Sequence, residues 1–162
     1  MAEPARQALT SGGPIALRSE RFGHYEIPAD RVLTFPDGLI GFREARRFAL
    51  LESTRPESPF RCLVSLDVPE LGFVVCDPVR LWPGYGADLP TPEGAVEDWA
   101  VLAIVTVPGK AQEMTANLMA PLVVDCRSRT GRQVVLDTGR YSTRHTLLPA
   151  AGPPAPTTEP KP

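Results

Sequence analysis

Apolar residues along this chain come in short runs closed by turn formers, and their spacing is that of extended backbone. Runs rich in Val, Ile, Leu and Phe predict strands over Phe22–Ile27, Val32–Phe35, Arg47–Leu51, Phe60–Leu66, Leu71–Cys76, Trp99–Val107, Leu122–Cys126 and Gln133–Leu136. Pro28, Pro36, Pro69, Pro78 and Pro108 fall at or beyond the ends of these runs, where a missing N–H costs a sheet least. Asp37-Gly38 and Thr130-Gly131 read as tight turns, with glycine supplying the positive φ. Helical spacing is confined to Ala111–Ala120, where Met114 and Leu118 lie one turn apart ahead of Pro121, and to a turn over Ala95–Trp99. Many short strands without crossover helices predict an all-β, mainly antiparallel fold: a single β-barrel-like domain with one or two short helical turns. A closed barrel is preferred to a sandwich because it leaves fewer strand edges to protect.

Composition sets the expected boundaries. The 162 residues suffice for one domain with a real core. Residues 149–162 hold six prolines and no aromatic residue, and the first fourteen hold two prolines with Gly12-Gly13-Pro14. Disordered tails are therefore expected over 1–20 and 149–162, flanking a folded domain over 21–148. A formal net charge of −2 argues against a dedicated nucleic-acid binder. The longest apolar run, Val101-Leu102-Ala103-Ile104-Val105, stops at Thr106, far short of the ~20 residues a membrane span needs. No secretory signal is visible at Met1-Ala2-Glu3-Pro4. Cys62, Cys76 and Cys126 form no C-x-x-C pair, so neither a disulfide framework nor a zinc site is expected, and a reducing cytoplasm is the natural setting.

Catalytic chemistry finds little support. His24 and His145 lie at opposite ends of the domain, outside any H-x-x-H pattern, and both are expected at the surface. Ser142 lacks the surroundings of a nucleophile elbow, and Gly38-Leu39-Ile40-Gly41 opens no helix that could cradle a phosphate. The cysteines sit in apolar runs as small core residues. Asp67 and Asp77, just past strand ends, read as Asx-turn residues. No catalytic residue, metal or cofactor is expected.

Charge, by contrast, is segregated. Glu52 to Asp98 carries nine acids against Arg55, Arg61 and Arg80, a balance of −6; Asp125 to His145 carries five arginines against Asp125 and Asp137, a balance of +3. The acidic stretch favours a basic protein surface and repels nucleic acid. Arg127, Arg129 and Arg132 fall on an expected hairpin turn and leave open an alternative, a β-barrel RNA-binding regulator. A flavin-binding barrel enzyme is a further alternative, on fold alone. Residues 80–98 form a connection longer than compact domains usually carry, with Trp82 and Tyr85 set among acids. Its aromatics either cap one end of the barrel or anchor a partner.

As a set, several segments resemble the FliW family of bacterial flagellar assembly factors. They are Leu33-Thr34-Phe35-Pro36-Asp37-Gly38-Leu39-Ile40-Gly41-Phe42, Leu63-Val64-Ser65-Leu66-Asp67, Glu70-Leu71-Gly72-Phe73-Val74-Val75, Met114-Thr115-Ala116-Asn117-Leu118-Met119-Ala120-Pro121 and Tyr141-Ser142-Thr143-Arg144-His145, in the family's order. The chain departs from the pattern at Ile40, where the family often has Pro, and at Gly84, where an acid is common. The resemblance implies a small β-barrel-like domain with no catalysis. It also implies a cytoplasmic binding protein with two alternative partners: flagellin, held before export, and CsrA, the dimeric translational regulator that represses flagellin messenger RNA. A monomer is expected, with no membrane and no direct nucleic-acid contact.

Within that resemblance, the F-P-D-G-L-I-G-F motif reads first as structure, since Phe35 and Phe42 can plug a core while glycines permit tight turns. The candidate partner-binding residues are exposed acids and loop aromatics: Glu70, Trp82, Tyr85, Asp88, Glu97 and Asp98, with Arg144 beside them. Aromatic residues surrounded by charge are typical interface anchors.

Overall fold

The computed structural model describes residues 13–52, 55, 57–68, 70–90, 98–109 and 113–147. Its strands are β1 (Ile15–Ser19), β2 (Gly23–Ile27), β3 (Val32–Thr34), β4 (Arg47–Leu51), β5 (Phe60–Ser65), β6 (Gly72–Cys76), β7 (Trp99–Thr106), β8 (Thr115–Ala116), β9 (Leu122–Asp125), β10 (Thr130–Gln133) and β11 (His145–Thr146). One helical turn, α1 (Pro78–Leu81), follows β6, and 3-10 turns occur at Ala29–Arg31 and Tyr85–Asp88. Strands β7-β6-β5-β4-β3-β10-β9 run side by side, and β9 pairs back onto β7 to close a seven-stranded barrel. All these pairings are antiparallel except β3 with β10, which meet in parallel at Thr34 and Thr130.

Strand alternation sorts the apolar residues into an inner set and two outer ones. Leu33, Phe48, Leu50, Leu63, Phe73, Val75, Leu102, Ile104, Leu122 and Val124 share one cluster, the barrel interior. The loop joining β3 to β4 adds Phe35, Leu39 and Phe42 to it. Phe35 meets Phe48 edge to face at 5.5 Å, and Phe42 meets Phe73 at the same distance, so the F-P-D-G-L-I-G-F aromatics do plug the core. Phe35 and Phe48, both fully buried, each stabilise the fold by roughly 1.5–3 kcal/mol.

The outward residues are covered as well. The β1–β2 hairpin lays Leu17, Phe22 and Ile27 over Ala49 and Val64 of β4 and β5. The segment around α1, with β8, β11 and the chain near Leu136, covers Cys76, Ala103 and Val105 of β6 and β7. This two-sided burial explains the uninterrupted run Val101–Val105: Leu102 and Ile104 face in while Val101, Ala103 and Val105 face the outer layer.

Several expectations are corrected. Residues 15–20, expected in a tail, belong to the folded domain, because β1 pairs along β2 from Ile15–Ile27 to Ser19–Gly23 and buries Leu17 and Ser19. The remaining tail residues, 1–12 and 149–162, lie outside the described residues. The helix expected over Ala111–Ala120 is replaced, from Glu113 on, by β8 and a turn. Asn117 Oδ1 accepts from the backbone N–H groups of Met119 and Ala120 at 3.2 and 3.0 Å, which favours a turn over helix. The last barrel strand is Thr130–Gln133, not Gln133–Leu136. Thr130-Gly131 accordingly lies in a strand; Gly131 is there because Phe35 and Val124 leave no space for a side chain.

Two polar devices fix the turn that follows β5. The Asp67 carboxylate does not make an Asx turn; it accepts from the backbone N–H groups of Arg46 and Arg47 at 2.9 and 2.8 Å and from Arg47 Nε at 2.9 Å. Burial acts to raise this carboxyl, but the N–H donors and the Arg47 charge outweigh it and hold it below the usual range. The buried Ser65 hydroxyl accepts from Asp67 and Val68 N–H at 3.1 and 2.8 Å, making the turn that Asp67 was expected to make.

Cβ placed on Gly131 would lie 2.7 Å from the Phe35 ring and 3.0 Å from Val124. Gly131→Ala is expected to destabilise the protein by about 1–3 kcal/mol through overpacking, read as a lower urea midpoint. Gly109→Ala, at a position with no neighbour within 4 Å of the added carbon, is expected to leave it nearly unchanged.

Candidate protein-binding surface

After β6 the chain must turn across the barrel wall. Asp77 caps α1, its Oδ1 accepting from Val79 and Arg80 N–H at 3.0 and 3.4 Å, and Pro78 opens the helical turn where its missing N–H is harmless. Gly84, at φ 92°, then redirects the chain into the Tyr85–Asp88 turn. These two reversals press Trp82, Tyr85 and Asp88 against the C-terminal segment.

Tyr85 is a correction. Expected as an exposed anchor, it is 1% exposed. Its hydroxyl donates to the Leu118 carbonyl at 2.6 Å, and its ring meets Tyr141 edge to face at 4.8 Å. Burial, followed by the nearby Tyr141 and Asp88, pushes its phenol well above the usual range. Tyr85 is therefore a core residue that fastens the loop.

Asp88 accepts hydrogen bonds from the Tyr141 hydroxyl and the Arg140 guanidinium, with its side chain 17% exposed. That hydrogen bond to Asp88 raises the Tyr141 phenol above its usual range. Trp82 is half-buried and meets His145 edge to face at 5.5 Å. His145, expected at the surface, is thus half-buried, and burial lowers its imidazole below the ordinary value. Arg144 stays exposed next to it.

The structure therefore brings Trp82, Tyr85, Asp88 and Arg144 into one region and adds Arg140, Tyr141 and His145. Tyr141 and His145 belong to a motif already visible in the sequence, but no one-dimensional signal shows that it packs on the 82–88 loop.

The other candidates lie elsewhere. Glu70 holds the β1–β2 hairpin: its carboxylate accepts from Ser19 Oγ at 3.2 Å and from the Glu20 and Arg21 N–H groups at 3.1 Å each. Asp98 lies 3.7 Å from Arg127 Nη1, and its carbonyl accepts from Cys126 N–H at 2.7 Å. Glu97 lies outside the described residues.

The arginines of the β9–β10 hairpin disperse. Arg127 faces Asp98, Arg129 lines a groove with Arg31 and Leu33, and Arg132 lines one with Arg43 and Arg46. They do not form the single basic turn that RNA binding through Arg127–Arg132 requires.

Cys76 is buried as expected, its thiol pushed up to about 12 by burial and then by Asp77. Cys126, expected in the core, is exposed on the β9–β10 turn. Among the described residues no cluster of three His, Cys, Asp or Glu side chains could hold a metal ion, and no helix is long and apolar enough to cross a membrane.

Tyr85→Phe keeps the buried ring but strips the Leu118 carbonyl of its donor, and is expected to cost about 1–2 kcal/mol in unfolding free energy. For His145, burial disfavours the charged ring, so the unfolded chain takes up the proton first. Its contribution to stability is complete above about 6.5, the ordinary value, and is lost as pH falls through the lower folded value. Denaturant midpoints measured from pH 7.5 to 5.5 are expected to fall, and His145→Gln is expected to flatten that fall.

Comparison with known proteins agrees with this architecture. The family model described as FliW protein matches residues 16–147. The flagellar assembly factor FliW of Alkaliphilus metalliredigens is 35% identical over 140 residues, covering 82% of this chain and 85% of its own length. That of Moorella thermoacetica is 37% identical over 138 residues, covering 80% and 86%. A crystal structure of the flagellar assembly factor FliW superposes with a TM-score of 0.71 at 32% identity, covering 82% of this chain and 96% of that one. With the barrel, its outer layer and the C-terminal segment all inside the matched region, this chain belongs to the FliW family of flagellar assembly factors.

Proposed function

We propose that this protein is a non-enzymatic, cytoplasmic binding protein that holds flagellin before export. When free of flagellin it binds the translational regulator CsrA and relieves repression of flagellin messenger RNA. The observation that carries this reading is the match to flagellar assembly factors over residues 16–147. The region around Trp82, with Arg140 and Arg144 exposed above a rigid base of Tyr85, Tyr141 and His145, is the surface we assign to partner binding. A base already held by ring contacts and a buried hydrogen bond loses little entropy on binding.

The control logic needs only competing equilibria. If the partners exclude one another, the free concentration of flagellin sets how much of this protein is left for CsrA. Relief of repression is then a coupling free energy, and it is reciprocal: messenger RNA on CsrA must weaken this protein's hold on CsrA by the same factor.

Titrating the purified chain with flagellin and with CsrA from the same organism tests this directly. Saturable binding to each, with flagellin displacing CsrA, is the expected result, and absence of binding to both overturns the reading. Arg144→Glu, which alters no core contact, is expected to weaken at least one of the two complexes about tenfold without lowering the melting temperature.

A further inference from the structure

The loop that joins β3 to β4 does more than plug the barrel. Its outer side and β10 enclose a surface groove of about 460 Å³, lined by Asp37, Ile40, Arg43, Arg46, Arg132 and Gln133 among others. Ile40 stands 61% exposed at the tip of the loop. None of Arg43, Arg46 and Arg132 forms an ion pair among the described residues, whereas Arg47, Arg61, Arg127 and Arg140 each do.

The walls of the groove are fixed. Gly38, at φ 70°, lies so close to Arg43 that an added Cβ would be 2.5 Å from its backbone. Leu39 and Phe42 exchange backbone hydrogen bonds across the Ile40-Gly41 tip at 3.2 and 2.8 Å. Ile40 N–H donates to Gln133 Oε1 at 2.8 Å, and Gln133 Nε2 donates to the Ala120 carbonyl at 3.0 Å, so the tip is tied to β10 and, through it, to the turn before β9. Arg46 Nε reaches the Arg43 carbonyl at 3.5 Å. The backbone that carries exposed Ile40 is thus held in place before anything binds, beside three guanidinium groups and a single carboxylate, that of Asp37.

We propose that this groove docks an acidic polypeptide segment. An apolar side chain of that segment packs on Ile40, and its carboxylates meet Arg43 and Arg132, with Arg46 beside them. Guanidinium groups match carboxylates in a planar, two-point fashion, and their weak hydration suits a partly desolvated contact. Nucleic acid is the poorer fit: no aromatic side chain lines the groove to stack a base, whereas exposed Ile40 offers an aliphatic contact to a peptide side chain.

The inference rests on the partner-binding reading above, and it makes the groove a dock for an acidic segment of a protein partner, separate from the Trp82 region. The decisive experiment compares the full chain with Arg43→Glu/Arg132→Glu and, separately, with Ile40→Asp, in titrations with flagellin and with CsrA at two salt concentrations. All three positions are exposed, and unchanged melting temperatures establish that the variants fold.

The expected result is a loss of about tenfold or more for one partner with either variant, about twofold or less for the other, and a shallower salt dependence in the double variant. Unchanged affinities for both partners overturn the proposal. Should the unaltered chain bind neither protein, the partner reading has failed on its own, and a second measurement decides the groove. In that measurement the isotope-labelled chain is titrated with a short peptide alternating Leu and Glu, its Leu/Lys counterpart and oligouridylate. Resonances of Ile40, Arg43 and Arg132 that move with the Leu/Glu peptide alone support the dock. Their response to oligouridylate in its place, or to none of the three, overturns it.

Discussion

The rest of this structure depends on the burial of strands β6 and β7 on both faces. A barrel of seven short strands has a small interior, and Val75, Leu102 and Ile104 help to fill it. The same two strands carry Val74, Cys76, Val101, Ala103 and Val105 on the outside, too much apolar surface to leave in water. Covering that outer face is what pins α1, Tyr85, Leu118, Leu136 and Leu147 against the wall. The surface assigned to partners is therefore the far side of a structural patch, and its rigidity comes from the core beneath it.

That dependence separates what sequence could show from what it could not. Strand β4 was legible residue for residue, and β5, β6, β7 and β9 to within a residue at one end, because each is a mainly apolar run bounded by turn formers or charged residues. β8 and β11 were not legible: each has two residues, and each exists because a neighbouring strand edge is there to receive it. Met114 and Leu118 look like one helical face, yet the Asn117 side chain supplies a local turn, and Ala116 reaches the outer cluster from strand β8 and Leu118 from the turn after it. β1 was obscured by its proline- and glycine-rich neighbourhood, although its alternation is plain once β2 lies beside it.

The candidate surface was half legible for a related reason. Trp82, Asp88 and Arg144 stand out in the sequence as aromatic or charged residues in a long loop or a motif, and they do fall in one region. Tyr85 stands out on the same grounds but is buried; nothing local distinguishes a tyrosine that anchors a partner from one that satisfies a carbonyl beneath it. Glu70 illustrates the converse: its carboxylate is occupied by hairpin donors, among them Ser19, 51 positions away. Charge segregation along the chain was real, but folding pairs some of it internally, as Arg140 with Asp88 and Arg127 with Asp98.

The parallel join between β3 and β10 has a consequence for how the hoop yields. It is registered by one residue pair, Thr34 with Thr130, and by the Thr34 N–H bond to the Arg129 carbonyl at 2.9 Å. Thermal breathing would part the staves along this seam before any other. The lips so bared are too stunted to recruit a foreign strand: Pro36 curtails one, and Arg129, at φ 55°, bends the other out of line. The protein can slacken at its weakest stitch without inviting aggregation.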